Sequence, residues 1–183
     1  MKVVRTAIPE VLLFEPQVFG DERGFFLERY NKRDFREAIG SDVEFVQDNH
    51  SRSASNVLRG LHYQLRQTQG KLVWVVAGEV YDVAVDLRKH SATFGKWVGF
   101  TLSAQTKRLA WIPPGFAHGF LVVSGIAEVL YKATDFYAPE HERSLLWSDP
   151  AVGVAWPLGK GVEPIVAEKD RRGLLLAEAE CFE

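Results

Sequence analysis

The stretch VLRGLHYQ at 57–64 places a guanidinium, Arg59, and an imidazole, His62, three positions apart in an otherwise apolar run. Val57, Leu58, Leu61 and Tyr63 favour an extended chain, and Gly60 permits a bulge or a close approach. A strict period of two puts His62 on one face with Leu58, Gly60 and Gln64, and Arg59 on the other. Both groups serve one site only if Gly60 carries a bulge that re-aims Arg59, or if Arg59 works from the rim or across a subunit boundary. Elsewhere the chain offers Tyr131, Lys71 and two acids, Asp82 and Asp170. An imidazole base, a phenol and a cation suit proton abstraction beside a carbonyl: the base takes the proton, the cation supports the enolate, and the phenol returns a proton from the other side. The same residue types also fit a packed barrel with a polar mouth, and by themselves leave both readings open.

Metal chemistry is the natural rival. The segment PPGFAHGF around His118 carries the P-x-G-x-x-H pattern of the second motif of metal-binding cupin barrels. Their first motif supplies H-x-H, where this chain has His62, Tyr63, Gln64. With that pair broken, three or four convergent ligands are not assembled, and no metal is expected. His90 and His141 stand in polar turns and read as surface residues, and His50 is ambiguous.

The elements that must position these groups are mostly strands. The segment KLVWVVAGEVYDVAVDLR at 71–88 holds two β-branched runs that meet at Gly78-Glu79, which suits a II′ hairpin turn. Its second run puts Asp82 and Asp86 on one face. Further strands are expected at about 97–102, 108–112, 116–123 and 126–134, with another at 43–50 followed by a loop at SRSASN. At 19–31, FGDERGFFLERYN reads as a hairpin turn at GDERG followed by a strand. Asn31 to Gly40 is the clearest helix, with Asn31 as its cap, Phe35 and Ile39 on one face and Gly40 as a left-handed terminator. From Tyr137 onward the chain is turn-rich, and short helices are expected near 141–147 and 168–180. Many short strands without helical periodicity predict an all-β sandwich or barrel with a few short helices. The 183 residues are taken as one domain, with a barrel core at about 43–136 and both termini packed on it.

Composition narrows the partners. With 22 basic and 24 acidic residues the net charge is -2, which offers no attraction to nucleic acid or an anionic membrane. One cysteine excludes an intrachain disulfide, and the N-terminal segment, broken by Arg5, Pro9 and Glu10, does not read as a signal peptide. A cytoplasmic location is expected.

Taken in order, FGDERGFFLERYN, QDNHS, RGLHYQ, QGKLVWV, VYDVAVDLR, TFGKW, IPPGFAHGF, AEVLYKATDFYAPEHER and WSDP resemble the dTDP-4-dehydrorhamnose 3,5-epimerase family over about residues 3–170. Trp74 stands where many relatives carry arginine, and the final RRGLLLAEAECFE matches only loosely. The resemblance implies a cupin-type jelly-roll barrel, a homodimer and no cofactor. It implies epimerisation at carbons 3 and 5 of dTDP-4-dehydro-6-deoxy-D-glucose to dTDP-4-dehydro-6-deoxy-L-mannose, with a single epimerase on another dTDP-4-keto sugar, or a non-catalytic sugar-nucleotide-binding barrel, as alternatives. By resemblance His62 is the base, Asp170 its partner, Tyr131 the proton donor, Lys71 the enolate stabiliser and Asp82 a supporting acid. Substrate binding falls by resemblance to Arg23, Glu28, Gln47, Asn49, Arg59, His118, Glu142 and Lys169, with Tyr137 stacking on thymine and Arg23 and Glu28 reaching the neighbouring subunit's site.

Overall fold

The computed structural model describes residues 1–183. Its strands are β1 (Lys2–Arg5), β2 (Leu12–Glu15), β3 (Val18–Asp21), β4 (Gly24–Leu27), β5 (Gln47–Ala54), β6 (Val57–Gln64) and β7 (Lys71–Ala77). They continue with β8 (Glu79–Asp86), β9 (Trp97–Ser103), β10 (Leu109–Ile112), β11 (Phe116–Val122), β12 (Ile126–Ala133), β13 (Glu142–Ser144) and β14 (Ile165–Val166). Two helices, α1 (Lys32–Ile39) and α2 (Glu168–Arg171), and a 3-10 turn at Pro139–His141 complete the set. No helix is long and apolar enough to cross a membrane.

Two sheets face each other as a cupin-type jelly roll. One runs β1-β2-β10-β7-β12-β5, and the other β13-β6-β11-β8-β9 with β14 added beside β6. Alternation explains the layers. Val73 and Val75 of β7 point between the sheets, where they meet Val80 and Ala84 of β8 and Phe116, Phe120 and Val122 of β11. Leu72 and Trp74 point the other way and pack with Leu12, Phe14, Leu109 and Trp111 under α1. The outer face of the second sheet, with Leu61, Tyr63, Val83 and Val85, is covered by the tail through Leu145 and Val152. β7 is therefore buried on both faces, which is why its sequence is a continuous apolar run.

Helix α1 forms as its caps dictate. The Asn31 side chain accepts hydrogen bonds from the backbone N–H groups of Arg33 and Asp34, and Gly40 closes the helix at φ 71°. It docks through Phe35, whose ring lies 5.2–5.5 Å from those of Trp111, Phe14 and Phe45. Trp74 sits in the same layer with the Arg29 guanidinium 5.5 Å above its ring.

Several local expectations are corrected. Gly78 does not turn a hairpin, because β7 and β8 belong to different sheets and the chain crosses between them there. A Cβ at Gly78 would lie 1.8 Å from the Ile126 carbonyl oxygen, so close backbone contact is what requires glycine. Residues 43–46 are not strand, whereas Ser51–Ala54 of the expected loop continue β5, because they pair with Ile126–Val129 of β12. In the tail, 142–144 is strand β13 against β6, and the helix expected at 168–180 is only the single turn α2. The hairpin turn at GDERG forms, but in a separate two-stranded sheet whose second strand ends at Leu27 and does not run on to Asn31.

Candidate active site

The question posed by VLRGLHYQ is answered by pairing. His62 opposes His118 and Arg59 opposes Phe120, so Gly60 and Leu61 of β6 share one opposing residue, Gly119. That extra residue is a bulge, and it reverses the face parity of the strand. Leu61 and Tyr63 turn outward under the tail, while Arg59 and His62 both line the same cavity. Gly60 has φ 117°, and a Cβ there would lie 2.6 Å from the Gly119 Cα, so the two strands close up only over glycine.

The cavity, of about 570 Å³, lies between the two sheets at one end of the barrel. β5 contributes Gln47 and Asn49, β7 Lys71, β12 Tyr131, β6 Arg59 and His62, and β11 His118. The tail closes it with Tyr137, Glu142, Lys169 and Asp170. His62 Nε2 and Asp170 Oδ1 are 2.6 Å apart, and the Gly60 N–H donates to Asp170 Oδ2 at 3.2 Å. Burial pushes the Asp170 carboxyl up, but the hydrogen bond and charge of His62, the Gly60 N–H and Lys169 outweigh it and hold the group below the usual carboxylate range. An ionised partner fixes the imidazole's orientation.

Lys71 and Tyr131 are neighbours across paired strands, with the ammonium 5.9 Å from the centre of the phenol ring. Burial pushes the Lys71 ammonium down to about 8, against the pull of Glu142 and Asp82. Burial raises the Tyr131 phenol, Glu142 adds to the rise and Arg59 opposes it, so at neutral pH the group holds its proton. Arg59 reaches the open end, where its Nε donates to Ser53 Oγ at 2.9 Å.

Asp82 is placed differently from a group that meets substrate. It is fully buried, does not line the cavity, and takes both contacts of His118 Nε2 at 3.0 Å on its two oxygens. Arg23 and Glu28 do not line the cavity either. Arg23 extends from the tip of the exposed β3–β4 hairpin and pairs with Asp21, while Glu28 accepts from Asn31. Glu142 bridges Tyr137 and Lys169, accepting from the Tyr137 hydroxyl at 3.1 Å and from Lys169 Nζ at 2.9 Å. Two residues that sequence reasoning missed are Gln64 and Gln69, whose amides hold the backbone beside Tyr137. No group of three or more His, Cys, Asp or Glu side chains is gathered as a metal site would need.

Two sheets with a histidine–aspartate pair, a tyrosine and a lysine around one cavity define a cupin-type barrel with acid–base groups in its mouth. Comparison with known proteins is more specific. The family described as dTDP-4-dehydrorhamnose 3,5-epimerase matches residues 5–178. A dTDP-4-dehydrorhamnose 3,5-epimerase of Pseudomonas aeruginosa is 64% identical over 182 residues, covering 100% of this chain and 99% of its own. A crystal structure of a dTDP-6-deoxy-D-glucose-3,5-epimerase from Legionella pneumophila, in complex with dTDP-4-keto-L-rhamnose, superposes with a TM-score of 0.94 at 51% identity. That match covers 98% of this chain and 94% of the other. A more distant structure, the 3′-monoepimerase ChmJ of Streptomyces bikiniensis in complex with dTDP-quinovose, reaches a TM-score of 0.88 at 32% identity, covering 94% and 87% of the two chains. The chain belongs to the dTDP-4-dehydrorhamnose 3,5-epimerase family, and the enzyme is an isomerase.

Proposed function

We propose that this cavity epimerises carbons 3 and 5 of dTDP-4-dehydro-6-deoxy-D-glucose by proton transfer between two opposed groups. The observation that carries the reading is the His62–Asp170 pair in one cavity with Tyr131 and Lys71. Both carbons flank the 4-keto group, so each C–H is acidified by the same carbonyl. His62 takes the proton, the electron pair moves onto the keto oxygen, and the Lys71 ammonium supports that enolate. Tyr131, held neutral by burial, returns a proton to the opposite face. Solvent then removes the proton from His62 and restores the one on Tyr131, so the net reaction is an inversion. No metal or organic cofactor is needed in this scheme.

Arg59 and His118 bind the diphosphate and sugar, Gln47, Asn49, Glu142 and Lys169 border the substrate, Tyr137 stacks on thymine, and Asp82 acts through His118 by orienting it. Arg23 and Glu28 reach the site of a second copy in a homodimer. Support comes from the hairpin, which carries Phe19, Phe25 and Phe26 at 56%, 61% and 71% exposure, even with the Lys107 ammonium 4.3 Å from the centre of the Phe25 ring. A cytoplasmic location fits a chain with a single cysteine and no disulfide.

Proton NMR of the substrate in deuterated water, with chelator-treated protein, is the test. Deuterium at both carbons, with a downstream 4-reductase yielding dTDP-L-rhamnose, is expected. Deuterium at one carbon alone selects the single epimerase, and none with binding intact selects a non-catalytic barrel.

A further inference from the structure

Residues 135–138 join β12 to the 3-10 turn, and three glutamine side chains hold them by the backbone. Gln69 Nε2 donates to the Asp135 carbonyl at 2.9 Å. Gln64 Nε2 donates to the Phe136 carbonyl at 3.2 Å and to that of Gln67 at 2.7 Å, while its Oε1 accepts from the Ala138 N–H at 3.0 Å. Gln47 Oε1 accepts from the Tyr137 N–H at 2.9 Å, and its Nε2 donates to Asn49 Oδ1 at 2.9 Å. Each of the four residues is thus bonded through its backbone to a glutamine. The three glutamines come from β5, β6 and the turn before β7, so both sheets grip one short segment. The side chain of Tyr137 is half exposed at the cavity mouth, and its hydroxyl is fixed by Glu142 at 3.1 Å.

A segment without helix or strand needs other partners for its inward N–H and C=O groups, and a primary amide supplies a donor and an acceptor together. Glutamine alone among uncharged side chains does this over three methylene-length steps of reach. The gain is in binding. When a loop is already ordered in the free protein, its conformational entropy is lost on folding and is not lost again when a ligand arrives.

We propose that Gln47, Gln64 and Gln69 are positioning residues for the nucleotide, clamping residues 135–138 so that Tyr137 presents its ring in the free protein. This rests on the reading above that Tyr137 stacks on the base. The clamp gives Gln47 a role beyond touching substrate, since its carbonyl already accepts from the Tyr137 N–H.

Binding of dTDP to the purified full-length protein, measured by calorimetry across a double-mutant cycle, tests it. Gln69 is only half-buried, so Gln69→Met leaves the fold in place, which thermal unfolding checks. Gln69→Met is expected to weaken dTDP binding about three- to ten-fold, the worth of one such hydrogen bond. In a Tyr137→Ala background the same change is expected to alter the affinity less than two-fold. The KM of the substrate should rise more than kcat falls. Gln64→Glu, which keeps the acceptor for Ala138 but lacks the two donors, is expected to behave like Gln69→Met. Equal weakening by Gln69→Met with and without Tyr137, or no weakening while Tyr137→Ala weakens binding, overturns the clamp and leaves stacking intact. An unaltered dTDP affinity in Tyr137→Ala overturns the stacking role, and the clamp's role with it.

Discussion

Asp170 Oδ1 lies 2.6 Å from His62 Nε2, although 108 positions separate the two residues. The contact exists because β14 runs parallel to the start of β6, with Ile165 beside Val57 and Val166 beside Leu58. The tail is thereby laid along the active strand, and α2 turns Asp170 back under Gly60. Asp170→Asn preserves the shape and removes the charge that orients the imidazole. We expect kcat/KM to fall about 10²- to 10⁴-fold, the usual worth of a positioned general base, with dTDP affinity held within a few-fold. Unchanged turnover in steady-state assays contradicts the pairing's role.

His62→Ala and Tyr131→Phe separate removal of a proton from its return. Without the imidazole, solvent exchange at both carbons should vanish while nucleotide binding stays within a few-fold. Without the phenol, protons should still leave, so deuterium washout persists and inversion is impaired. Exchange and product configuration, followed together by NMR, distinguish the two. Full inversion in Tyr131→Phe excludes it as the donor.

Lys71 makes the site sensitive to pH. With its ammonium pushed down to about 8, kcat/KM should decline as pH rises through about 8, because that profile reports the free enzyme. In Lys71→Arg the charge persists and that alkaline limb should disappear, at a lower overall rate. Stability moves in the opposite sense. Between about 8 and the unperturbed 10.5 the unfolded chain binds this proton more tightly than the folded one, so this residue's contribution to stability rises with pH across that window. A pH profile of Lys71→Arg that keeps the same alkaline limb assigns it to another group.

Gly60→Ala tests the bulge. Its φ of 117° and the 2.6 Å approach of Gly119 Cα leave no room for a methyl group. We expect a loss of about 1–3 kcal/mol or more in denaturant unfolding, and a fall in activity from the displaced Arg59 and His62. Wild-type midpoint and kinetics in this variant are incompatible with the pairing described.

Much of the fold was legible because the period-two alternation is local. The strands from Trp97 to Ala133 fell within a residue or so of their expected limits, and Asn31 and Gly40 announced both ends of α1. Gly78 was not legible, since a glycine between two apolar runs has the same local signature whether the chain turns back or crosses to another sheet. Only the Ile126 carbonyl beside it decides the matter. Likewise the polar letters of SRSASN suggested a loop, but β12 supplied partners and extended β5 through Ala54. At the cavity, His62, Arg59, Lys71, Tyr131 and the tail's Asp170 were candidates from residue types, whereas Tyr137, Glu142 and Lys169 came from family resemblance. Asp82 lies behind His118 and not on the cavity surface, a depth that alternation does not give. Gln64 and Gln69 were missed because their partners are carbonyls 72 and 66 positions away, which no pattern in either segment encodes.

Counted in insertions and deletions, the bulge in β6 divides the chain unequally. The turn at 158–163 is largely exposed and lies outside both sheets, so its length is free to drift. Loss of one residue at 60 or 61 would instead restore strict alternation, turning either Arg59 or His62 out of the cavity toward the face that packs under the tail. The same deletion would set a polar side chain into the layer where Leu61 and Tyr63 now pack, so the site and the seat of the tail depend on one extra residue.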